Sequence, residues 1–141
     1  AWLAADSTII PNTQHRPTPG KRTWGWSQAS FITFREDLDP AEAVAIWHAH
    51  HTRVAIETQS NFEYVQNLIV RPLTDGAPAY HAFVEECFPL EALTDPYTFF
   101  DAVGDQAKFD RNLAAMMDSC GRFIQFGEID IMPTSQYDFA A

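Results

Sequence analysis

Cationic side chains, cysteine and long apolar runs are all scarce in this chain. Its 141 residues carry nine Lys and Arg against 19 Asp and Glu, which gives a formal net charge of −10. Binding to nucleic acid or to an anionic membrane depends on clustered Lys and Arg, so we expect neither partner. No run reaches the roughly 20 apolar residues of a membrane span. Cys87 and Cys120 lie far apart, which favours free thiols in a reducing cytoplasm over a disulfide.

Several familiar catalytic motifs are also missing from the sequence. Neither a glycine-rich phosphate loop nor a serine nucleophile elbow is present, which disfavours phosphate and acyl-serine chemistry. The segment His48-Ala49-His50-His51 lacks the spaced carboxylate or third ligand of familiar helical zinc sites, so metal binding is disfavoured. Haem ligation through His51 or His81 is a less favoured alternative. We therefore expect a protein that works without a cofactor or metal.

Three histidines lie inside an apolar helical pattern, in the segment Trp47-His48-Ala49-His50-His51. Histidine can exchange a proton near neutral pH. Residues three and four apart share a helix face, so Trp47 and His51 fall on one apolar stripe. An inward histidine beside a tryptophan is either a core residue bonded to a backbone carbonyl or an acid/base at the floor of a pocket. The sequence leaves both interpretations open.

The sequence predicts an α+β domain over residues 24–132, with an irregular N-terminal extension at 1–23 and a polar tail at 133–141. Periodicity and turn residues predict these elements in order: strand 24–34, helix 40–59, strand 62–71, strand 79–88, an interrupted helical segment 89–103, helix 106–119 and strand 122–132. This order is that of the ferredoxin-like split βαβ arrangement, a four-stranded antiparallel sheet with helices on one face. The other face is too aromatic for water, so we expect a homodimer with a cavity between its sheets.

Four short motifs follow these elements: Trp47-xxx-His51, Tyr64-Val65-Gln66-Asn67, Tyr80-xxxx-Glu85-xx-Phe88 and Phe109-Asp110. In their order and spacing, residues 24–132 resemble the EthD-type members of the dimeric α/β-barrel superfamily. The chain differs from the common family pattern after His51, where Thr52-Arg53 stands in place of Ala-Pro, and after Tyr80, where His81-Ala82 stands in place of Asp-Gly. The resemblance implies a cavity beside the sheet and cofactor-free work on small aromatic or polyketide-like substrates. Some relatives in the wider superfamily bind haem.

The candidate catalytic residues are His51, His81 and Glu85. His51 is the candidate acid/base, and Glu85 can orient either histidine from across the sheet. A carboxyl group in an apolar cavity has a raised pKa and can act as an acid. The alternative interpretation of His81 is a strand-end surface residue, and that of Glu85 is a paired structural carboxylate.

The candidate substrate-binding residues are the aromatic and amide side chains Trp26, Gln28, Trp47, Tyr64, Asn67 and Phe83. Tyr64 or Asn67 can hold a phenolate or carbonyl oxygen while its charge develops. These two side chains can equally satisfy buried backbone groups. Which face of each strand lines the cavity is left open.

We hypothesise a homodimeric, cofactor-independent lyase or cyclase that acts on an aromatic or polyketide-derived small molecule, with His51 transferring the proton. Decarboxylation and cyclisation both need a proton donor and a stabilised enolate or phenolate, so the sequence does not separate them. One alternative is a non-catalytic small-molecule-binding accessory protein, which would be indifferent to substitution of His51. Another is a haem-dependent or cofactor-free monooxygenase, and Soret absorbance would identify the haem form.

Overall fold

Five antiparallel strands form the single sheet of this α+β protein. The computed structural model describes residues 1–139, so the last two residues of the predicted tail lie outside it. The strands are β1 Trp2–Ile10, β2 Trp26–Ile32, β3 Glu63–Pro72, β4 Ala82–Phe88 and β5 Asp130–Thr134. Their order across the sheet is β1-β3-β4-β2-β5. The predicted α+β class is confirmed, and the predicted count of four strands is wrong because the N-terminal extension adds a fifth.

The added strand is β1, which lies in the segment predicted to be irregular. It pairs antiparallel with β3 and places Ala5 opposite Leu68. Most of its side chains are exposed, and its sequence WLAADSTII has no regular alternation of apolar and polar residues. The strand is held by backbone pairing at a sheet edge and by side chains at its two ends, where Ile9 and Ile10 pack against the main core and Trp2 contacts the Phe31 ring. The exposed stretch between them leaves little hydrophobic pattern to detect. Its first aromatic residue, Trp2, donates a 3.0 Å hydrogen bond from Nε1 to the carbonyl oxygen of Pro78.

The histidine segment lies in one continuous helical stretch, as predicted. It consists of α1 Pro40–Ile46, a π-helical turn at Trp47–His51 and α2 Thr52–Thr58. The carboxylate of Asp39 accepts the backbone N–H of Ala41 at 2.9 Å and so caps the first turn. The sequence pattern predicts a regular helix here, without the π turn.

The remaining helices cover the second half of the chain: a 3₁₀ turn at Leu90–Leu93, α3 Pro96–Phe99, α4 Gln106–Gly121 and a 3₁₀ turn at Phe126–Glu128. The predicted helix 106–119 is confirmed to within two residues at its end. Among residues 1–139 there is no helix with the length and apolar character needed to cross a membrane.

The last strand differs from its prediction. Residues 122–132 were predicted to be extended, but a 3₁₀ turn interrupts them and β5 begins only at Asp130. The predicted strand ends at residue 132, yet Pro133 lies within β5 opposite Gln28. β5 is at the edge of the sheet, where a proline without an N–H disrupts no ladder. The apolar residues before Asp130 belong instead to the core and to the rim of the cavity described below.

The main core lies between the helices and one face of the sheet. Trp47, which is fully buried, packs there with Tyr64 and Phe123, which are also almost inaccessible. The predicted stripe of Trp47 and His51 is confirmed, since both residues are buried, and the buried residues Val54, Ala55 and Thr58 continue it. A smaller cluster joins Trp26, Phe88 and Ala92, which pack with Phe99.

The cap at Asp39 offers a direct test of how the histidine helix begins. We expect Asp39→Ala to lower the free energy of unfolding by about 1 kcal/mol, because the substitution removes the acceptor for the first-turn N–H. Thermal unfolding would show this as a midpoint lower by roughly 2–6 °C. Asp39→Asn keeps an acceptor oxygen and should lose far less. Equal losses for the two variants would contradict the capping role.

Candidate active site

A cavity of about 230 Å³ lies between the sheet and the helices. The sheet contributes side chains at every second position, among them Gln28, Ser30, Tyr64, Val84 and Glu86. The helices contribute Trp47, His51, Met116 and Cys120 from the other side. At the mouth of the cavity are three apolar side chains that are about half exposed: Met117, Phe126 and Ile131.

The π turn places the two signature residues of the histidine segment on the cavity wall. Within it, the backbone N–H of Thr52 bonds to the carbonyl of Trp47, five residues back. Trp47 and His51 are 0% and 8% exposed, whereas His48 faces solvent. Single π turns inside α-helices occur frequently at functional sites. His51 therefore lines a hollow, which is where the interpretation as an acid/base at a pocket needs it to lie.

The imidazole of His51 has one bonded and one unbonded nitrogen. Its Nδ1 lies 3.0 Å from the hydroxyl oxygen of Ser119. Among residues 1–139 the contact of Nδ1 is the one side-chain hydrogen bond of this ring. Burial, with a smaller contribution from the charge of His50, lowers the pKa of His51 to about 4. The ring is neutral at pH 7, and with its proton on Nδ1 toward Ser119, its Nε2 is free to accept another.

A carboxyl group lies directly under the cavity. Glu86 is opposite both Gln28 on β2 and Tyr64 on β3, so the three side chains form one row across the sheet. Its carboxylate accepts a 2.8 Å hydrogen bond from Asn61 Nδ2 and a longer 3.4 Å one from Gln28 Nε2. Burial raises the pKa of Glu86 to about 7, against the lowering effect of these two donors. Near neutral pH the group can therefore hold or release a proton.

Two hydrogen-bond donors at the cavity have no acceptor. Gln66 uses both of its amide N–H groups at 2.8 Å, one to the Thr52 hydroxyl and one to the Tyr64 oxygen. The Tyr64 proton itself has no acceptor within residues 1–139. Burial, then the charge of Glu86, raises the pKa of Tyr64, so the phenol remains protonated. The indole N–H of Trp47 approaches this phenol and partly offsets the rise of its pKa as a donor would, although the contact falls short of hydrogen-bond geometry.

Unpaired buried donors have a free-energy cost that a bound acceptor would remove. An unsatisfied buried polar group costs about 1–3 kcal/mol. Gln59, which also lines the cavity, has a buried Oε1 without a partner. The lining thus includes two residues, Trp47 and Gln59, that each have a buried polar atom without a hydrogen bond.

Four of the nine candidate residues from the sequence meet at this cavity: Gln28, Trp47, His51 and Tyr64. Three others lie on strand positions that face the opposite side of the sheet: Asn67, Phe83 and Glu85. On that side the Glu85 carboxylate accepts a 3.1 Å hydrogen bond from the Ser27 hydroxyl, and the Phe83 ring contacts Phe31 at 4.8 Å.

The remaining two candidates, His81 and Trp26, make contacts that stabilise the fold. The Nδ1 of His81 accepts the backbone N–H of Phe34 at 3.0 Å, and its ring stacks on the Phe34 ring at 4.8 Å. Burial lowers the pKa of His81, with partial opposition from Glu128. Trp26 stacks on Phe88 in the smaller core cluster. Neither side chain lines the cavity.

Sequence reasoning missed Glu86, Gln59 and Asn61. Glu86 lies on the same face of β4 as Val84. It is opposite Gln28 and Tyr64, which are both candidate substrate-binding residues from the sequence. The alternation of strand side chains would have identified Glu86 once the face under the helices was known. Gln59 and Asn61 lie in the short connection between α2 and β3, where no periodicity indicates orientation.

Within residues 1–139, no group of three or more His, Cys, Asp or Glu side chains is arranged to hold a metal ion. Both cysteines are free thiols. No protein-family model matches the chain, and no curated protein matches it in sequence. Any function for the cavity therefore depends on its own geometry and on the sequence motifs.

Proposed function

We propose that the protein is a cofactor-independent enzyme, a lyase or cyclase, that moves protons on a small aromatic or polyketide-derived molecule. The supporting observation is that His51 and Glu86 line the same largely apolar cavity. Burial lowers the pKa of His51 to about 4 and raises that of Glu86 to about 7. Near neutral pH the imidazole is thus a base and the carboxyl group can act as an acid.

The proposed reaction begins at a carbon next to a carbonyl. His51 Nε2 takes a proton from that carbon, and the electron pair moves to the carbonyl oxygen to form an enolate. The unpaired donors of Trp47 and Tyr64 stabilise this oxygen. In a cyclisation, the enolate carbon attacks a second carbonyl, and Glu86 gives its proton to the oxygen that becomes a hydroxyl. Return of the proton from His51 to Glu86 restores both groups.

The dimensions and walls of the cavity support a small aromatic substrate. Its volume of about 230 Å³ exceeds the roughly 150 Å³ of an engineered apolar cavity that binds benzene,. Apolar side chains such as Val84, Met116 and Ile124 form most of its walls. One ring with polar substituents, or two fused rings, would match this space.

We further propose a ferredoxin-like fold that pairs as an EthD-type dimeric barrel. Support comes from the order β3-β4-β2-β5 of the last four strands and from the presence of Trp47 and His51 at the cavity. On the sheet face away from the helices, the rings of Trp2, Phe31 and Tyr80 lie in mutual contact and are only half-buried. A second copy of the chain would cover these rings. A monomer found by sedimentation velocity would contradict the proposed dimer.

Because both thiols are free, a reducing cytoplasmic location is also proposed.

Solvent deuterium exchange tests the proposed proton transfer without knowledge of the natural substrate. We expect the protein to accelerate exchange of the hydrogens next to the carbonyl of aryl ketones that bind it, because His51 removes these hydrogens reversibly. Proton NMR in D₂O measures the rate, with buffer at the same pH as the blank. Saturable binding of such ketones with no exchange above the blank would instead indicate a non-catalytic binding protein.

A further inference from the structure

We propose that this cavity accepts uncharged carbonyl compounds and rejects carboxylates, and that Glu86 is the residue that selects between them. The inference rests on the proposed function and narrows it. A decarboxylase must bind a carboxylate, so a cavity that rejects carboxylates favours enolisation or cyclisation over decarboxylation.

The charges around the cavity support this selection. Glu86 is the only acidic residue among the described residues that line it, and no Lys or Arg joins it there. The titratable groups that face Glu86 are His51 from the π turn, Tyr64 from β3 and Cys120 from α4. None of the three is cationic near neutral pH. Burial lowers the pKa of His51 to about 4, and the phenol of Tyr64 and the thiol of Cys120 have no cationic form and stay neutral because burial raises their pKa values. A ligand carboxylate would meet a buried like charge without a compensating cation.

The unpaired polar groups indicate what an uncharged ligand should carry. The lining residues Trp47 and Tyr64 carry an N–H and an O–H group, and such donors suit a carbonyl oxygen,. The Oε1 atom of Gln59 is a buried acceptor without a partner, which suits a ligand hydroxyl. An aromatic ring that bears a ketone and a hydroxyl therefore combines the groups that this lining lacks.

A matched pair of ligands tests the selection. Ortho-hydroxyacetophenone and salicylate share the ring and its hydroxyl, and differ in an uncharged acetyl group against a carboxylate. Burial raises the pKa of Glu86 to about 7, so above that pH salicylate must bind the minority of molecules in which Glu86 is protonated. We expect the affinity for salicylate to fall about tenfold between about pH 6 and pH 8. The affinity for the ketone should change less than about twofold over the same range.

Two variants test whether Glu86 causes the pH dependence of salicylate binding. Glu86→Gln should remove the pH dependence of salicylate binding and leave that of the ketone flat. Glu85→Gln changes the neighbouring carboxylate on the other sheet face and should retain the native dependence. Calorimetric titration measures all of these affinities.

Three results would overturn the inference. They are equal affinity for the two ligands at pH 8, an unchanged pH dependence in Glu86→Gln, and failure of both compounds to bind. Failure of the proposed function is distinguishable from these, since it would appear as tight ketone binding without deuterium exchange.

Discussion

Replacing His51 by glutamine should lower the rate of deuterium exchange, or of turnover of the true substrate, at least about 100-fold. General acid–base groups contribute about 10²–10⁴-fold, and Nε2 of His51 is the unbonded base that lines the cavity,. Glutamine approximates the size of the imidazole and can still bond to Ser119, so the cavity should persist. His48→Gln, on the exposed side of the same segment, serves as the control and should keep the native rate.

The pH profile gives this prediction a second readout. Burial lowers the pKa of His51 to about 4, so the base should be lost only as the pH falls through that value. Burial raises the pKa of Glu86 to about 7, so the acid should be lost as the pH rises through that value. Turnover that uses both groups should show a bell-shaped profile between these limits in the native protein, whereas exchange, which uses His51 alone, should show only the acid limb. An acid limb near the usual histidine pKa, or native activity in His51→Gln, would remove His51 from the mechanism.

The helix that carries the site could be predicted because local signals agree there. Asp39 and Pro40 begin it, and the spacing of Trp47 and His51 marks its buried face. These are short-range properties, set by capping and by a 3.6-residue period. Strand β1 gave no such signal, since its backbone pairs with β3 while most of its side chains remain in water. Because the middle of this edge strand is exposed on both faces, its sequence shows no alternation of apolar and polar residues from which a strand could be predicted.

The choice between two candidate carboxylates shows a different limit of prediction from sequence. Strand side chains alternate with a period of two, so Glu85 and Glu86 face opposite sides of the sheet. Both faces of β4 carry apolar residues, and the sequence does not state which of them the helices cover. The tertiary packing decides this, and it places Glu86 beside Tyr64 and Gln28 while Glu85 bonds to Ser27. A one-residue step in register thus changes which carboxylate is available for chemistry.

His81 illustrates how an attractive functional residue can be absorbed by the fold. Its Nδ1 satisfies the backbone N–H of Phe34, just beyond the end of β2. A sequence cannot show that a particular backbone donor will lack a strand partner. The hydrogen-bond partners of a buried or half-buried histidine must therefore be known before a role can be assigned to it.

Replacing Glu86 by glutamine should make the protein's stability less dependent on pH and raise it in alkaline solution. Burial raises the pKa of Glu86 from its ordinary 4.5 to about 7. Between these values the folded state binds more protons than the unfolded state, so the free energy of unfolding decreases as the pH rises. The decrease due to Glu86 amounts to about 2 kcal/mol between about pH 5.5 and pH 8. Glu86→Gln cannot ionise and should lack this decrease.

Urea unfolding at the two pH values measures the effect as a difference between variant and native protein. His51 has a lowered pKa and acts in the opposite direction, but it is present in both proteins and cancels in the comparison. Asn61 can accommodate the new amide, because its Oδ1 is buried and unpaired and can accept an N–H from it. Glu85→Gln should leave the native pH dependence in place.

If the free energy of unfolding of Glu86→Gln depends on pH as that of the native protein does, Glu86 titrates as an ordinary carboxyl group. The protein would then lack the acid that the proposed reaction needs. The expected result is instead that the pH dependence of the free energy of unfolding is lost in Glu86→Gln and kept in Glu85→Gln. That result would mean that the fold keeps a destabilising carboxylate under the cavity, which selection for stability alone does not explain.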